Sequence, residues 1–298
     1  MQYQKLGNST INVSIISLGC MSLGTDQAKN ERIIHAAIDQ GINFFDTADL
    51  YDKGINEQNV GKVLKGKRKN IYLASKVGNE WRADGSGWDW NPRPDYIKKS
   101  IHKSLKRLGT DYLDLYQLHG GTMEDPIDDT IGAFEELKQA GLIRYYGISS
   151  IRPNVIRAWT EKSHMSTVMT QYSLLDRRPE EFSLDHLHAH GVSVLVRGAV
   201  AKGLLVNKAA RPYLGYSAQE VEEAKEAVYQ VSNPLRSPAQ VALQYSLGHA
   251  AVGSIVAGAS KVEQISENAG AASAPMLSME ERISLQTRIR PIRYEKHR

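Results

Sequence analysis

Residues 112–149 read YLDLYQLHGGTMEDPIDDTIGAFEELKQAGLIRYYGIS and contain one complete strand–helix–strand unit. Apolar runs of strand length occupy Tyr112–Leu118 and Arg144–Ser149. Between them, residues 128–140 have the apolar spacing of an amphipathic helix. Gly141 then supplies a residue that accepts the left-handed conformation with which many helices end. The stretch therefore predicts two parallel strands joined by a helix that covers them.

The same alternation of short apolar runs and helical segments extends over most of the chain. The predicted strands are 15–18, 43–46, 71–76, 112–118, 144–149, 167–172, 192–196 and 254–256. The predicted helices lie near 27–40, 56–65, 94–108, 128–140, 153–162, 180–190, 218–231 and 261–271. Eight such units favour an α/β protein with a closed (β/α)8 TIM barrel. We expect a single barrel domain over residues 1–298, with residues 2–14 forming a β-hairpin at the bottom of the barrel.

An open, doubly wound sheet is the alternative arrangement for alternating strands and helices. Such a sheet binds a dinucleotide through a Gly-x-Gly-x-x-Gly pattern directly after its first strand. Here the first strand leads into Gly19-Cys20-Met21-Ser22-Leu23-Gly24, in which the glycines have the wrong spacing. No Gly-Lys-Ser or Gly-Lys-Thr phosphate loop occurs either. The sequence therefore favours the closed barrel.

Composition excludes several classes of function. The 298 residues include 37 Lys and Arg against 33 Asp and Glu, and the resulting net charge of +4 is too small for a dedicated nucleic-acid-binding protein. No apolar run approaches the roughly 20 residues that cross a bilayer. The single cysteine, Cys20, excludes an internal disulfide. We expect a cytoplasmic protein, a monomer or weak homo-oligomer, with neither nucleic acid nor membrane as partner.

A histidine cluster at His186, His188 and His190 is the one segment that resembles a metal site. His186 and His190 are spaced i, i+4 on a predicted helix, as metal-binding histidines can be. The segment lacks the His-Glu-x-x-His arrangement of a zinc enzyme, and its helix returns to the bottom of the barrel. We interpret these side chains as surface histidines and expect no metal.

Four ionisable side chains follow neighbouring predicted strands. Asp46 and Tyr51 come at the end of the second strand, Lys76 at the end of the third and His119 at the end of the fourth. In a (β/α)8 barrel these ends form the active-site face. Singly, each side chain has an ordinary structural role, such as a turn cap or a rim tyrosine. Together they form a usable proton-transfer group, in which Lys76 lowers the pKa of the Tyr51 phenol and Asp46 keeps the lysine charged.

The spacing of these four residues resembles the catalytic tetrad of the aldo-keto reductases. Asp46-Thr47-Ala48-Asp49-Leu50-Tyr51 is followed by Lys76 and then by His119, as in that family. Further segments agree: Leu18–Gly24, Ser104–Asp114, and Ala257–Lys261 followed by Gln264, Glu267 and Asn268. The resemblance runs from about residue 2 to about residue 275 and is nearest to bacterial NADPH-dependent members. It implies reversible reduction of an aldehyde or ketone, with Tyr51 as general acid, Lys76 and Asp46 tuning it, and His119 orienting the carbonyl.

The resemblance also implies a site for NADP(H), with NADH as an alternative cofactor. It assigns Ser149, Ser150 and Gln171 to the nicotinamide carboxamide, and places Arg197 where relatives stack an aromatic ring on the nicotinamide. The residues implied around the rest of the cofactor are Gly19, Cys20, Met21, Gly198, Gly203, Leu204, Lys208, Gly258, Ser260, Lys261, Gln264, Glu267 and Asn268. Within this set, Ser260, Lys261 and Gln264 resemble the pocket for the 2′-phosphate, and Glu267 and Asn268 the contacts to adenine.

A loop rich in tryptophan follows the third predicted strand. Trp81, Trp88 and Trp90 lie between residues 78 and 91 and are three of the four tryptophans of the chain. Their indoles either form an apolar wall for a small carbonyl substrate or anchor the loop to the rim of the barrel. The sequence leaves both interpretations open.

Two other functions are compatible with parts of the pattern. One is a redox-sensing or regulatory protein that binds NADP(H) and turns over slowly, although the complete set of Asp46, Tyr51, Lys76 and His119 does not favour it. The other is a different barrel enzyme, such as a phosphate-binding isomerase. That interpretation leaves Gly258–Asn268 without a role.

Overall fold

Eight parallel strands close into a barrel in the computed structural model, which describes all 298 residues. The strands are β1 (Tyr3–Lys5), β2 (Asn12–Ser14), β3 (Ile16–Gly19), β4 (Phe44–Asp46), β5 (Tyr72–Val77), β6 (Asn79–Trp81), β7 (Trp88–Trp90), β8 (Leu113–Leu118), β9 (Ile143–Ser149), β10 (Thr167–Gln171), β11 (Ser193–Arg197) and β12 (Val252–Gly258). The barrel order is β3-β4-β5-β8-β9-β10-β11-β12, with β12 pairing back onto β3. All eight predicted barrel strands are present, and the predicted (β/α)8 class is confirmed.

Ten α-helices accompany the strands. They are α1 (Gln27–Asp39), α2 (Ile55–Leu64), α3 (Pro94–Leu108), α4 (Ile127–Gln139), α5 (Pro153–Lys162), α6 (Ser183–Ala189), α7 (Ala218–Val231), α8 (Pro238–Leu247), α9 (Val262–Gly270) and α10 (Met279–Arg288). The prediction of one helix per barrel strand was wrong at two places, because α8 and α10 were not predicted. None of the ten helices combines the length and the apolar composition that a bilayer crossing requires.

The helix that covers the barrel between β11 and β12 is α8, not the predicted helix at 218–231. The predicted helix exists as α7, but it packs on α8 and α10, whereas α8 contacts β12. Residues 241–246 of α8 are all buried, so this helix has no polar face along that turn and a half. A helix without a polar face lacks the amphipathic period by which helices are predicted, and for this reason the sequence did not indicate it.

The N-terminal hairpin of β1 and β2 closes the bottom of the barrel, as predicted. The Gln4 side-chain amide donates to the carbonyl oxygens of Val252 and Gly253 at the start of β12. Leu6, Ile11 and Val13 enter the barrel interior. There they pack in one apolar cluster with inward-facing strand residues, namely Phe44, Ala74, Leu115, Met169, Leu195 and Val256.

The opposite end of the barrel is where the strands terminate and where polar side chains collect. Most of the apolar core, a cluster of 68 buried residues, lies between the strands and the surrounding helices. Because the hairpin and this core fill the bottom and the flanks, only the C-terminal ends of the strands are free to form a site. Rigid strands bordered by loops are well suited to hold reacting groups in place.

Candidate active site

The four predicted catalytic side chains meet at the C-terminal end of the barrel. Asp46 is the last residue of β4, Lys76 lies in the adjacent β5, and His119 follows β8. The Lys76 ammonium donates to Asp46 Oδ2 at 2.5 Å, to the Thr47 carbonyl at 2.9 Å and to Tyr51 Oη at 3.4 Å. The Tyr51 and His119 rings stand edge to face, with their centroids 5.8 Å apart.

Lys76 is held as a buried cation. Its side chain is fully buried, and a charge in such a place is tolerated only when it is paired and hydrogen-bonded. Burial alone would lower the pKa of Lys76, but the Asp46 carboxylate and the Tyr51 phenol outweigh it and raise the pKa above its usual value. The lysine therefore remains protonated and presents positive charge to Tyr51.

The Tyr51 phenol is kept protonated rather than ionised. Burial raises the pKa of Tyr51 above 10, and this effect exceeds the lowering by the Lys76 ammonium. Lys76 does lower the pKa of Tyr51, as expected from the sequence, but the net shift is upward because burial penalises the phenolate more than the lysine favours it. A protonated phenol beside a fixed cation is suited to act as a general acid.

His119 is a neutral imidazole at physiological pH. Burial, followed by the Lys76 and Arg197 charges, lowers its pKa to about 3. Its Nδ1 atom is buried and has no hydrogen-bond partner in the protein. A neutral imidazole keeps one N–H donor, so it can orient a polar ligand by a hydrogen bond. It does not act as an acid in this pH range, because it does not release that remaining proton.

The residues assigned to the carboxamide end of a nicotinamide form a network among themselves. Arg197 Nη1 donates to Gln171 Oε1 at 3.0 Å, and Gln171 Nε2 donates to Asp176 Oδ2 at 2.8 Å and to Tyr213 Oη at 3.2 Å. Arg178 in turn holds Asp176 through two hydrogen bonds. The sequence did not indicate Asp176, which lies five residues beyond the strand end and shows its role only through the contact with Gln171.

Ser149 and Ser150 stand at the end of the neighbouring strand. Ser149 is the last residue of β9, and its partner in β10 is Met169. Ser150 is buried, and its Oγ atom accepts a hydrogen bond from the Arg152 amide at 3.2 Å. The Ser150 hydroxyl is therefore partly engaged in the turn that opens α5.

A cavity of about 380 Å³ lies between the segment after β11 and the start of α9. It is lined by Met21, Ser22, Gly198, Ala199, Val200, Lys202, Gly203, Asn207, Lys208, Leu243, Ile255, Val256, Ala257, Gly258, Ala259, Ser260, Gln264 and Asn268. Its two lining cations, Lys202 and Lys208, form no salt bridge within the protein. Unpaired ammonium groups beside glycine-rich backbone fit the phosphates of a dinucleotide, so the residues present suit an NAD(P)H molecule.

Several residues predicted for the cofactor site do not line this cavity. Cys20 and Leu204 are fully buried and face the core. Glu267 accepts a hydrogen bond from Ser237 Oγ at 3.0 Å, which directs its carboxylate toward α8. Lys261 is exposed at the start of α9, just outside the cavity lining. Conversely, the sequence did not single out Lys202, whose position depends on the left-handed backbone of the turn.

Gln264 is used partly as a helix cap. Its Oε1 atom accepts hydrogen bonds from the Ser260 amide at 2.8 Å and from the Lys261 amide at 3.2 Å. These bonds satisfy backbone donors that the first turn of α9 leaves unpaired. The carbonyl end of Gln264 is thus fixed, and only its amide group remains free to contact a ligand.

The three loop tryptophans have different surroundings. Trp90 Nε1 donates to Asp125 Oδ1 at 2.9 Å, and its ring covers Gly78 and Gly120, where an added Cβ would lie 2.7 and 3.0 Å from ring atoms. Trp88 is 47% exposed. Trp81 is half-buried beside the segment that carries Tyr51. Trp90 therefore anchors the loop, whose strands β6 and β7 form a hairpin that the sequence analysis did not predict.

A parallel barrel with a Lys–Asp–Tyr–His cluster at the C-terminal ends of its strands defines a barrel enzyme. Residues 15–286 match the model of the aldo/keto reductase family, and the chain belongs to that family. It is accordingly an NAD(P)H-dependent oxidoreductase, and carbonyl reduction is the general chemistry of its relatives.

Three known proteins illustrate the similarity. "Uncharacterized oxidoreductase YqkF" of Bacillus subtilis is 50% identical, with both chains fully covered. The holo-form structure of the aldo-keto reductase AKR11C1 from Bacillus halodurans has a TM-score of 0.94 at 49% identity, covering 100% of this chain and 99% of that one. The NADH-specific methylglyoxal reductase of Escherichia coli is 30% identical over 89% of this chain and 92% of its own.

Proposed function

We propose that this protein reduces an aldehyde or ketone to the alcohol with NADPH, using Tyr51 as the general acid. The observation that carries the proposal is the fully buried Lys76 ammonium, which bonds to both Asp46 and Tyr51. Tyr51 in turn stands against a His119 ring that is neutral and incompletely bonded. A buried cation, a phenol and a free imidazole edge at one barrel mouth together suit proton transfer to a bound carbonyl.

Each side chain has a distinct task in this reaction. When bound, a reduced nicotinamide supplies the hydride to the carbonyl carbon. Tyr51 gives its phenolic proton to the carbonyl oxygen, and the Lys76 ammonium stabilises the phenolate that remains. Asp46 balances the lysine charge and holds its direction, while His119 orients the carbonyl oxygen by a hydrogen bond.

The residues that would hold the cofactor surround the cavity after β11 and the network at the end of β10. Lys202 and Lys208 would face the pyrophosphate, together with backbone amides of residues 198–204. Gln171 would hold the carboxamide, and the Arg197 guanidinium would contact the nicotinamide. Ser149 would contribute a hydroxyl to the same end.

The preference for NADPH over NADH rests on the segment at the start of α9. Ser260 lines the cavity, and the exposed Lys261 ammonium stands next to it without an ion-pair partner. A cation and a hydroxyl beside a helix N-terminus favour a phosphate group. Lysine is a point charge without the bidentate geometry of arginine, so we expect a moderate preference and measurable use of NADH.

The decisive test is the Tyr51→Phe variant, assayed by loss of NADPH absorbance over a panel of aldehydes and ketones. Removing the acid should lower kcat by about 10²- to 10⁴-fold, the usual contribution of a positioned acid. The affinity for NADPH, measured by fluorescence or calorimetry, should stay nearly unchanged because Tyr51 does not line the cavity that we assign to the phosphates.

Two outcomes would contradict this proposal in different ways. Turnover at the wild-type rate in Tyr51→Phe would show that another group supplies the proton. Tight NADPH binding by the wild-type protein without reduction of any carbonyl in the panel would instead favour a regulatory or redox-sensing role. Lys69→Met, an exposed charge before β5 and remote from the site, serves as the control variant.

A further inference from the structure

The turn that carries Tyr51 has a strained backbone. Asp52 (φ 49°, ψ 36°) and Lys53 (φ 55°, ψ 37°) are both left-handed, and Gly54 continues the run with φ 86°. Only glycine takes this conformation without a steric penalty, and consecutive non-glycine residues in it are rare. Such strain persists where the surrounding structure holds the chain in place, and two sets of contacts do so around this turn.

The β6–β7 hairpin contacts the turn on both sides of Tyr51. Trp81 Nε1 donates to the Leu50 carbonyl, one residue before Tyr51, at 3.3 Å. Two residues after Tyr51, the Lys53 ammonium lies 5.1 Å from the centroid of the Trp81 ring and donates to the Gly85 carbonyl at 3.4 Å. One indole thus contacts the chain before and after Tyr51.

The hairpin has two further contacts, one within itself and one with the barrel. The Arg82 guanidinium forms a bidentate salt bridge with Asp89 across its two strands, with the Nη2–Oδ1 distance at 2.6 Å. At its far end, the Trp90 ring packs on Gly120, the residue next to His119. The hairpin therefore connects the segment of the acid with the segment of the imidazole.

The other side of the turn rests on an ion pair between the partly exposed Arg107 and the buried Glu57. A Cβ at position 54 would lie 2.8 Å from Arg107 Cδ, so the turn packs directly on that guanidinium arm. Arg107 Nε donates to Glu57 Oε2 at 2.6 Å, and Glu57 Oε1 accepts from Ser75 Oγ at 2.6 Å. Because Ser75 precedes Lys76, this support is continuous with the strand that carries the lysine.

We propose that Trp81 and Lys53 act as positioning residues, which hold the left-handed turn so that the Tyr51 hydroxyl stays beside Lys76 and His119. The proposal rests on the proposed role of Tyr51 as acid. The one hydrogen bond of the Tyr51 hydroxyl to the protein is the 3.4 Å contact with Lys76, which is too long to fix the ring by itself. Without the indole contacts, Asp52 and Lys53 would relax toward ordinary backbone angles and carry Tyr51 away from the site.

The variants Trp81→Phe and Lys53→Met distinguish the positioning role from the alternative that Trp81 only lines the substrate pocket. Phenylalanine keeps an aromatic ring but loses the Nε1–H donor, and methionine keeps the length of lysine without its charge. We expect each variant to lower kcat about tenfold or more, as small misplacements of reacting groups do, with KM for the carbonyl and NADPH affinity little changed. Lys53→Arg, which retains a cation over the ring, should keep most of the activity.

A second substitution provides a direct test of strain. Asp52→Gly makes the left-handed conformation accessible without penalty, so it should restore part of kcat in the Trp81→Phe background. A tryptophan that only lines the substrate pocket would not be rescued in this way. Lys69→Met is the control, because it removes a lysine charge as Lys53→Met does but at the opposite end of the barrel.

The outcomes distinguish this inference from the proposed function. A rise in KM with an unchanged kcat in Trp81→Phe, or no rescue by Asp52→Gly, would overturn the positioning role while leaving Tyr51 as the acid. Absence of carbonyl reduction by the wild-type protein would overturn the proposed function itself. A kcat loss that Asp52→Gly partly reverses, with thermal stability unchanged in Trp81→Phe, supports the positioning role.

Discussion

Asp49 is a buried carboxyl group two residues before Tyr51. It is 8% exposed, and its Oδ1 atom has no hydrogen-bond partner. Burial, followed by the charge of Glu57, raises its pKa to about 8. At neutral pH the folded protein therefore keeps Asp49 largely protonated, whereas the unfolded chain ionises it.

The raised pKa of Asp49 has a consequence for stability. Between about pH 4 and pH 8 the folded state binds a proton that the unfolded state has released, so this group makes the free energy of unfolding fall as the pH rises. Asp49→Asn removes this titration. Between pH 5 and pH 8 we therefore expect the free energy of unfolding of the variant to fall less than that of the wild type, by on the order of a few kcal/mol. Urea unfolding of both proteins at the two pH values measures this difference. If the free energy of unfolding changed equally with pH in wild type and variant, the raised pKa of Asp49 would be contradicted.

The positions of the individual ionisable side chains could be predicted from the sequence, but their protonation states could not. Asp46, Lys76 and His119 were predicted to converge because strand ends are readable and parallel strands end on one face. The pKa of Tyr51 depends on how much of its ring the loops bury, and those loops come from distant parts of the chain. The network of Gln171 with Asp176 likewise depends on a contact that no spacing reveals.

Among the secondary-structure elements, the β6–β7 hairpin has a recognisable turn sequence. Trp81 and Trp88 flank a run containing Asp84-Gly85-Ser86-Gly87, and an Asp-Gly pair between aromatic residues is typical of a hairpin turn. By contrast, α8 gave no readable period because its surface is almost entirely buried. A helix or strand with one solvent-exposed face can be predicted from its amphipathic pattern, whereas one that is buried on all sides has no such pattern.

Glycine substitutions test how closely the hairpin packs on the barrel. Gly78→Ala places a Cβ 2.7 Å from the Trp90 ring at a residue with φ 128°, so we expect a loss of about 1–3 kcal/mol. Gly132→Ala lies in α4 with no atom within 4 Å of the added Cβ and should instead gain up to about 1 kcal/mol. Chemical unfolding of both variants provides the comparison. Equal stability of the two variants would contradict both the close contact with Trp90 and the backbone strain at residue 78.

For the whole molecule, the distribution of charge says more than the net value of +4. Lys202, Lys208 and Lys261 lie within or beside one cavity, and none of them forms a salt bridge. Cations that lie close together repel one another. A ligand with several phosphates relieves that repulsion, so cofactor binding and global stability should be coupled.

This coupling predicts a thermal shift that depends on the 2′-phosphate. A ligand that binds only the folded state adds about 2.7 kcal/mol at 100 times its Kd, so saturating NADPH should raise the Tm clearly. Lys261→Gln should weaken NADPH about tenfold, the equivalent of 1.4 kcal/mol, and leave NADH almost unaffected. The shift with NADPH should also shrink as salt concentration rises, because Lys261 is exposed and its charge is screened. Equal losses for the two cofactors would remove Lys261 from the 2′-phosphate site and leave Ser260 as the residue that discriminates between them.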